Sequence, residues 1–202
     1  MKKKRYYKKM KGDDRKNQIL QVALHVFAED NYYNATNAKI AKEADISEPT
    51  IYLYFKNKKD LFISVIEHCA SFRLNALKQI LDEADDLKQA TLNLIRLDYE
   101  FITQVTPDID KIMIMARVIN DSEIKDCVRK CNTDIYELVV EYIEKGMAEG
   151  LIRDDVGPDV LARILMGMIE GMTAMLLLDY PGDVDSTYMA AFNFLEKFIF
   201  NN

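Results

Sequence analysis

Apolar residues recur at helical spacing in a short segment that begins near residue 37. Ile40, Ala41 and Ala44 fall on one narrow face of a helix of about two turns. Thr36 and Asn37 lie at its start, and both residue types are favoured at helix amino termini because their side chains accept a backbone N–H. A helix this short is not stable alone. The pattern therefore predicts that it packs against neighbouring helices.

A second amphipathic segment follows after a tight polar turn. Asp45 tolerates the left-handed backbone conformation that such a turn requires, and Ser47 is placed to cap the next helix. This helix is predicted over residues 48–54, with Ile51 and Phe55 buried. Its other faces then present side chains suited to contacts with bases and phosphates, namely Glu48, Thr50, Tyr52, Leu53 and Tyr54.

The rest of the chain carries the same helical periodicity, and no alternating strand pattern persists. Leu, Met, Glu, Lys and Ala recur throughout, whereas Pro, which interrupts helices, occurs four times. We therefore predict an all-α fold of about nine helices. Their approximate ranges are 14–30, 37–44, 48–54, 58–82, 86–105, 108–120, 122–149, 158–180 and 184–200.

Charge is distributed unevenly along the chain. Residues 1–60 contain 14 Lys or Arg and 8 Asp or Glu, a net charge of +6; because the whole chain carries −6, the remaining 142 residues carry −12. Seven basic residues lie in residues 2–11, ahead of the first predicted helix. This segment is either a solubilising tail or an arm that adds salt-dependent attraction to phosphates. The position of the segment, directly before the first helix of the predicted DNA-reading head, favours the second interpretation.

Composition also narrows the class of protein. No stretch approaches the roughly 18 consecutive apolar residues needed to span a bilayer, and no apolar core follows the basic amino terminus. We therefore expect a cytoplasmic protein that does not bind membranes. The sequence has no glycine-rich phosphate loop, no nucleophile elbow and only two histidines, in unrelated places. We expect no enzymatic activity, no catalytic residue, no cofactor and no metal site.

Three cysteines fit a reducing compartment better than a disulfide framework. Cys127 and Cys131 lie one helical turn apart, so both thiols fall on one face, where they could respond to oxidation or bind a soft metal. Such pairs are more often packing residues.

The two short helices belong to a longer ordered pattern. Its residues are Ile19, Ala23, Phe27, Ala28, Thr36, Ile40, Ala41, Ala44, Ile46, Ser47, Thr50, Ile51, Tyr52, Tyr54, Phe55, Lys58 and Leu61. This set resembles the amino-terminal domain of the TetR family of transcriptional regulators. Two positions depart from the family pattern, since Asn31 and Asp45 stand where Gly is common, but both residue types tolerate left-handed geometry. The resemblance implies a basic arm over residues 1–13, a helix-turn-helix DNA-binding domain over 14–60, and a helical ligand-binding and dimerisation domain over 61–202.

The resemblance also implies which side chains of the head contact double-stranded DNA. Phosphate contacts are expected from Asn37, Thr50, Tyr54 and Lys58, with Lys39 as a further candidate. The residues nearest to base edges are expected to be Glu48, Pro49 and Tyr52. Thr36, Ser47 and Leu53 complete the predicted interface. The competing interpretations are that Tyr52 is partly core, that Thr50 only caps a helix and that Lys58 is merely solvated.

The last two predicted helices are candidates for a dimer interface. Gly167 and Gly171 lie four residues apart on one helix face, and Ala174 continues this stripe, which allows another backbone to approach closely. Phe192 and Leu195 complete the predicted four-helix seam, although the same faces could pack within one chain. A homodimer suits a palindromic operator, because paired heads read half-sites about one DNA turn apart.

Methionines and large apolar residues in the body predict an adaptable pocket for a small apolar or amphipathic molecule. The candidate ligand-binding residues are Tyr99, Ile102, Met113, Arg117, Met147, Met166 and Glu170. Arg117 favours an anionic ligand and Glu170 a cationic one, unless these charges are solvated or pair internally. The effector's identity stays open between a fatty acid or acyl-CoA and a cationic amphiphile.

We therefore predict a ligand-responsive transcriptional regulator, a homodimeric repressor released from a palindromic operator by a small, largely apolar molecule. The alternative is a DNA-tethered adaptor whose body recruits a protein partner without an inducer. A loss of DNA binding on addition of a small molecule would separate the two.

Overall fold

The computed structural model of the chain describes residues 12–83, 88–90, 93 and 107–201. The helices with full bounds in these ranges are α1 (Gly12–Asn34), α2 (Asn37–Glu43), α3 (Glu48–Tyr52), α4 (Lys58–Glu83), α5 (Pro107–Val118), α6 (Ser122–Ala148), α7 (Pro158–Leu177) and α8 (Val184–Ile199). The described part of the chain contains no strand beyond an isolated bridge between Ile152 and Phe200. The predicted all-α class is confirmed. The helix predicted over 86–105 falls largely outside the described residues.

Contacts divide the chain into two compact units, Met1–His68 and Cys69–Asn202. We call these units the head and the body. The sequence pattern predicts a domain boundary between residues 60 and 61, at the start of the fourth helix. Because α4 is continuous from Lys58 to Glu83, the boundary between the units lies inside this helix.

Aromatic and aliphatic side chains form the core of the head. The ring of Phe62, on α4, lies 4.9 Å from the ring of Phe27 and 4.8 Å from that of Tyr32, both on α1. Ile40 of α2 and Ile51 of α3 are fully buried. Burying a large apolar side chain contributes about 1.5 to 3 kcal/mol of transfer free energy. This packing explains how α2 and α3, with seven and five residues, stay helical although helices so short are unstable alone.

Two residues of the head adopt left-handed backbone angles. Asn31 has φ 60° and interrupts α1 near its end, and its side-chain oxygen accepts the backbone N–H groups of Tyr33 (3.0 Å) and Asn34 (3.2 Å). Asp45 has φ 54° in the turn between α2 and α3. Both residues occupy the places where the sequence pattern expects Gly, and both adopt the conformation for which Gly is favoured.

The core of the body includes a cluster on α6, α7 and α8 and on the loop between α6 and α7. Its members are Ile143, Ile152, Leu161, Ala162, Leu195 and Ile199. The carboxyl end of α8 is held beside the loop that follows α6, because Ile199 O accepts from Arg153 N at 2.9 Å and Asn201 N donates to Leu151 O at 2.9 Å. The amide of Asn201 also donates to Gly150 O at 3.0 Å.

A buried ion pair joins α4 to α5 within the body. Arg73 donates from Nη1 to Oδ1 of Asp110 at 3.2 Å, and the side chain of Asp110 is 4% exposed. Burial raises the pKa of Asp110, while Arg73 acts in the opposite direction. Burial, followed by the charge of Asp110, raises the pKa of the Cys69 thiol to about 12. Cys69 is therefore a protonated core residue at neutral pH.

Candidate DNA-binding interface

Helix α3 turns one apolar side into the head and presents the rest to solvent. Ile51 is 0% and Phe55 is 2% exposed, whereas Tyr52 is 51% and Leu53 is 80% exposed. Glu48 and Pro49 are also exposed, and Thr50 and Tyr54 are half-buried. The face predicted to contact DNA is thus the outer face of α3 and the turn after it. Large apolar side chains with this much exposed surface are available to a partner.

Local hydrogen bonds organise this face. Ser47 occupies the amino-terminal cap of α3, but its hydroxyl pairs with the hydroxyl of Thr50 at 2.8 Å and makes no side-chain bond to the helix backbone. Ser47 therefore occupies the predicted cap position, but its side chain does not make the expected hydrogen bond to the backbone of α3. The hydroxyl of Tyr52 reaches Glu48 Oε1 at 3.5 Å, one helical turn away.

The start of α2 matches part of the predicted interface. Thr36 caps the helix, because its Oγ1 accepts the backbone N–H of Lys39 at 3.2 Å, and Thr36 is exposed. Asn37, in contrast, is 7% exposed, and its Oδ1 is buried without a hydrogen-bond partner. A phosphate has little surface of Asn37 to contact. This differs from the predicted phosphate role, because Asn37 faces the head rather than solvent.

Lys39 forms a compact ion pair that the sequence pattern did not suggest. Its Nζ donates to Oδ2 of Asp30 at 2.6 Å and lies 3.8 Å from Oε1 of Glu43. The hydrogen bond to Asp30, with the nearby carboxylate charges, raises the pKa of Lys39 despite some desolvation. Asp30 lies nine residues earlier on another helix, which is why helical spacing alone gave no sign of it.

Lys58, also predicted as a phosphate contact, is engaged within the head. Its Nζ donates to the backbone carbonyls of Tyr33 and Ala35, both at 3.1 Å. The same ammonium lies 4.9 Å from the centre of the Tyr32 ring. Lys58 is thus not merely solvated, because two of its three N–H donors are bonded within the head.

The residues predicted to bind a ligand are only partly described. Tyr99 and Ile102 lie outside the described residues. Met113 is 3% exposed, Met166 is half-buried, and Met147 packs against the α6–α8 core cluster. Met113 and Met147 are thus packed inside the body, and their part in ligand binding stays a prediction.

Arg117 and Glu170, the two charged candidates for the ligand site, form a bidentate pair with each other. The two Arg117 nitrogens lie 2.8 and 2.7 Å from the two Glu170 oxygens. The side chains are 33% and 44% exposed. This geometry is an internal ion pair, which is the alternative to a contact of either charge with a ligand. The pair joins the end of α5 to the middle of α7, with its charges mutually neutralised.

The predicted dimer residues divide into two groups. Gly167 and Gly171 are exposed, with open space within 4 Å of the position that a Cβ would occupy on each, and Ala174 is half-buried. Leu195 is fully buried in the core cluster of its own protomer, so it is not free to contact a second chain. The side chain of Phe192 lies outside the described residues.

Helix α7 exposes more apolar surface than the sequence analysis anticipated. By length and composition it is apolar enough to cross a bilayer, and 22% of the relevant window is buried. Val160, Ile164 and Met175 are 50%, 39% and 47% exposed, and they share a face with the two exposed glycines. The charged residues Arg163 and Glu170 interrupt the apolar sequence of this helix. A face of this kind favours a protein partner.

The described thiols form no disulfide. Cys69 and Cys131 are buried and Cys127 is half-buried. Cys127 and Cys131 both lie on α6, as predicted, and their redox or metal role stays untested.

The head therefore has the architecture of a helix-turn-helix DNA-binding protein: two short helices joined by a tight turn, with the second presenting an exposed face. Residues 19–65 match the family model for bacterial regulatory proteins of the tetR family. This match covers much of the head and confirms its resemblance to the amino-terminal domain of the TetR family of transcriptional regulators.

Similar proteins extend the likeness over most of the chain. The fatty acid metabolism regulator protein of Bacillus subtilis (strain 168) is 23% identical over 170 residues, covering 83% of this chain and 86% of that protein. A transcriptional regulator from Saccharomonospora viridis, solved in complex with choline, has a TM-score of 0.84 at 22% identity, covering 94% of this chain and all of that one (100%). The regulator FadR from Bacillus subtilis, solved with stearoyl-CoA, has a TM-score of 0.77 at 21% identity, with coverages of 89% and 96%.

Proposed function

We propose that this protein is a cytoplasmic homodimeric repressor that binds a palindromic operator through two heads and is released by a small, largely apolar molecule. The observation that carries the DNA-binding part is the outer face of α3. Tyr52 and Leu53 are exposed there while Ile51 and Phe55 fix the helix from behind. This arrangement is suited to insertion of α3 into the major groove.

The direct contacts that we propose lie on α3 and at the start of α2. Glu48, Pro49 and Tyr52 face the base edges, where a carboxylate accepts from a cytosine amine and an apolar ring contacts a thymine methyl. The hydroxyls of Thr50 and Tyr54 serve phosphates. The exposed cap residue Thr36, with Ser47 and Leu53, borders this surface.

The dimer interface that we propose is the exposed stripe of α7 together with the outer face of α8. Val160, Ile164, Gly167, Gly171 and Met175 repeat at spacings of three and four residues along α7. Because the glycines carry no side chain, a helix of the second protomer can approach the backbone there. On α8, Met189 and Phe194 are 61% and 57% exposed and take the role in the seam that was predicted for Leu195.

We further propose that the effector binds in the body and acts through α4. This helix begins in the head at Lys58 and ends in the body at Glu83. A ligand that shifts its body end would change the spacing of the two α3 helices and so reduce affinity for paired half-sites. The similarity to a stearoyl-CoA complex supports an amphipathic effector, and the similarity to a choline complex is compatible with a small cation, so the charge of the effector stays open.

The proposed contacts are tested on duplex DNA that the purified protein retains from a random pool. Tyr54→Phe and Thr50→Val remove one hydroxyl each and should weaken binding to all retained sequences alike, by about three- to tenfold. Tyr52→Ala should instead relax the base preference at one position of each half-site. If the three variants bound every duplex like the wild type, α3 would not be the reading helix.

The effector is tested by measuring operator affinity with stearoyl-CoA and, separately, with choline. The repressor function is supported if either compound releases the DNA. The concentration used should not lower the melting temperature of the free protein. A protein that binds its operator equally with and without both compounds, and that retains a specific partner protein through residues 69–202, would instead fit the adaptor alternative.

A further inference from the structure

Gln18 connects the first helix of the head to the turn that precedes α3. Its Nε2 donates to the backbone carbonyl oxygen of Ala44 at 3.1 Å, across 26 residues of sequence. Its Oε1 accepts from Nη1 of Arg15, one helical turn earlier on α1, at 2.6 Å. Because a carbonyl only accepts and a guanidinium only donates, these two partners together fix which way the amide faces. Gln18 is half-buried, and it lies one residue before the segment that matches the family model.

The carbonyl that Gln18 binds has a particular place in the backbone. Ala44 is the carboxyl-terminal cap of α2, and carbonyls at that end of a helix lack intrahelical partners. The next residue, Asp45, has φ 54°. Since a peptide group is planar and turns as one unit, a bond that holds Ala44 O restricts both ψ of Ala44, which is −3°, and φ of Asp45. The bond from Gln18 therefore favours the left-handed conformation, which a residue other than glycine adopts only at a cost.

The direction in which α3 leaves α2 depends on this conformation. Asp45 N donates to Lys42 O at 3.2 Å, so the turn folds back on α2. Ile46 N likewise donates to Ala41 O at 3.0 Å. Ser47 follows at once and is the cap of α3. A rotation of the peptide group ahead of Asp45 would therefore swing α3 as a unit.

The same end of α1 also contacts the far side of α3. The Nζ of Lys16 lies 5.7 Å from the centre of the Phe55 ring, within the range of a cation–π contact. Phe55 is 2% exposed and follows α3, and its backbone N–H donates to Ile51 O at 3.0 Å. The first turns of α1 thus hold the proposed reading helix at both ends, with Gln18 before it and Lys16 after it.

We propose that Gln18 is a positioning residue that sets the orientation of α3 by holding the carbonyl of Ala44, while Arg15 orients its amide. This inference rests on the proposed DNA-binding function and specifies how the head keeps its reading helix in place. Gln18 acts before DNA is present, because the bond lies within the head. An amide has two N–H donors, so the test must separate this role from a direct contact between Gln18 and DNA.

The first measurement is hydrogen exchange in the free protein, read by mass spectrometry on residues 42–48 of the turn and residues 60–67 of α4. Gln18→Leu removes the donor. Gln18→Glu keeps an acceptor for Arg15 but has no N–H for Ala44 O near neutral pH. Both variants should speed exchange in the turn about three- to tenfold, the effect of one hydrogen bond on local opening, and leave exchange in α4 unchanged.

Two further variants serve as controls for hydrogen exchange. Gln18→Lys keeps a donor for the carbonyl, so exchange in the turn should stay within about twofold of the wild type. Gln21→Leu makes the same change as Gln18→Leu at an exposed glutamine of the same helix and should have no effect. Unchanged exchange in the turn of Gln18→Leu, or equal acceleration in the turn and in α4, would overturn the proposal.

The second measurement repeats the selection from random duplex DNA with Gln18→Leu and Gln21→Leu. A misplaced α3 loses contacts along its whole outer face, so base preference should weaken at every position of the half-site that the wild type specifies. Affinity for the wild-type site should fall about three- to tenfold in Gln18→Leu and stay unchanged in Gln21→Leu. If preference were lost at one position only, with exchange in the turn at the wild-type rate, Gln18 would be a direct contact and the proposal would fail.

The two measurements separate this inference from the function on which it rests. If the wild type retained no duplex while exchange in the turn of Gln18→Leu was accelerated, the proposed DNA-binding function would fail and the role of Gln18 in the turn would stand. If the wild type selected a palindrome and Gln18→Leu behaved like Gln21→Leu in both measurements, the function would stand and this inference would fail.

Discussion

The buried ion pair between α4 and α5 gives the sharpest stability prediction. Replacing Arg73 by Met leaves the carboxylate of Asp110, whose side chain is 4% exposed, without its positive partner. Removing one member of a buried pair typically costs about 3 to 5 kcal/mol. Because Arg73 itself keeps 26% of its side-chain surface in water, we expect the lower end, about 3 kcal/mol near neutral pH.

The sign of the pH dependence follows from the pKa of Asp110. Burial raises this pKa above the ordinary value of 3.8, and Arg73 opposes the rise, so the loss of Arg73 raises it further. A carboxyl group whose pKa is higher in the folded state favours folding when protonated, and this contribution is lost as the pH rises through the folded pKa. The cost of Arg73→Met should therefore be smaller in acid, by about 1.4 kcal/mol for each additional unit of pKa shift.

The assay is urea unfolding at fixed protein concentration, near pH 5 and near pH 7.5. In a thermal melt at the higher pH, the melting temperature of the variant should fall by about 6 to 12 °C. The double variant Arg73→Met with Asp110→Leu is the control, because an apolar replacement of a buried pair is often neutral or stabilising. A loss below about 0.5 kcal/mol, or an equal loss at both pH values, would refute the reasoning.

Three further predictions concern other parts of the molecule. Gly171→Leu should convert the dimer to a monomer in sedimentation equilibrium, because a large side chain would enter the proposed seam. Gly171→Ala should leave the dimer intact. If the Leu variant stayed dimeric, the interface would lie elsewhere. Cys69, with its buried thiol and a pKa raised to about 12, should react with a thiol reagent in urea and not in the native protein near pH 8; rapid native labelling would contradict its burial. Asp45→Ala should destabilise the head by about 1 kcal/mol and Asp45→Gly should not, because φ is 54° there; equal melting temperatures would show that the turn bears no strain.

Local features of the head could be predicted from sequence because they depend on neighbouring residues. The left-handed conformations of Asn31 and Asp45 follow from where Gly is expected in the pattern, and both residues adopt positive φ. The burial of Ile51 follows from helical spacing alone.

Side chains with partners far along the chain could not be predicted in the same way. Lys58 was expected to face a phosphate, but its partners lie 23 and 25 residues earlier, where spacing carries no information. Leu195 was assigned to the dimer because it lies on an apolar helix, yet helical periodicity does not distinguish a face that packs within the protomer from one that packs outside it. The pair of Arg117 with Glu170 spans 53 residues and similarly required the fold.

The central claim is that two heads of a homodimer read a palindrome. The most direct measurement is selection from a random pool of duplex DNA by the purified full-length protein at near-physiological salt, where phosphate attraction alone is weak. We predict recovery of a palindromic sequence whose half-sites are centred about one helical turn of DNA apart. Each such site should be bound by an even number of protein chains. Recovery of no sequence above background, or of a single asymmetric site bound by one chain, would contradict the account.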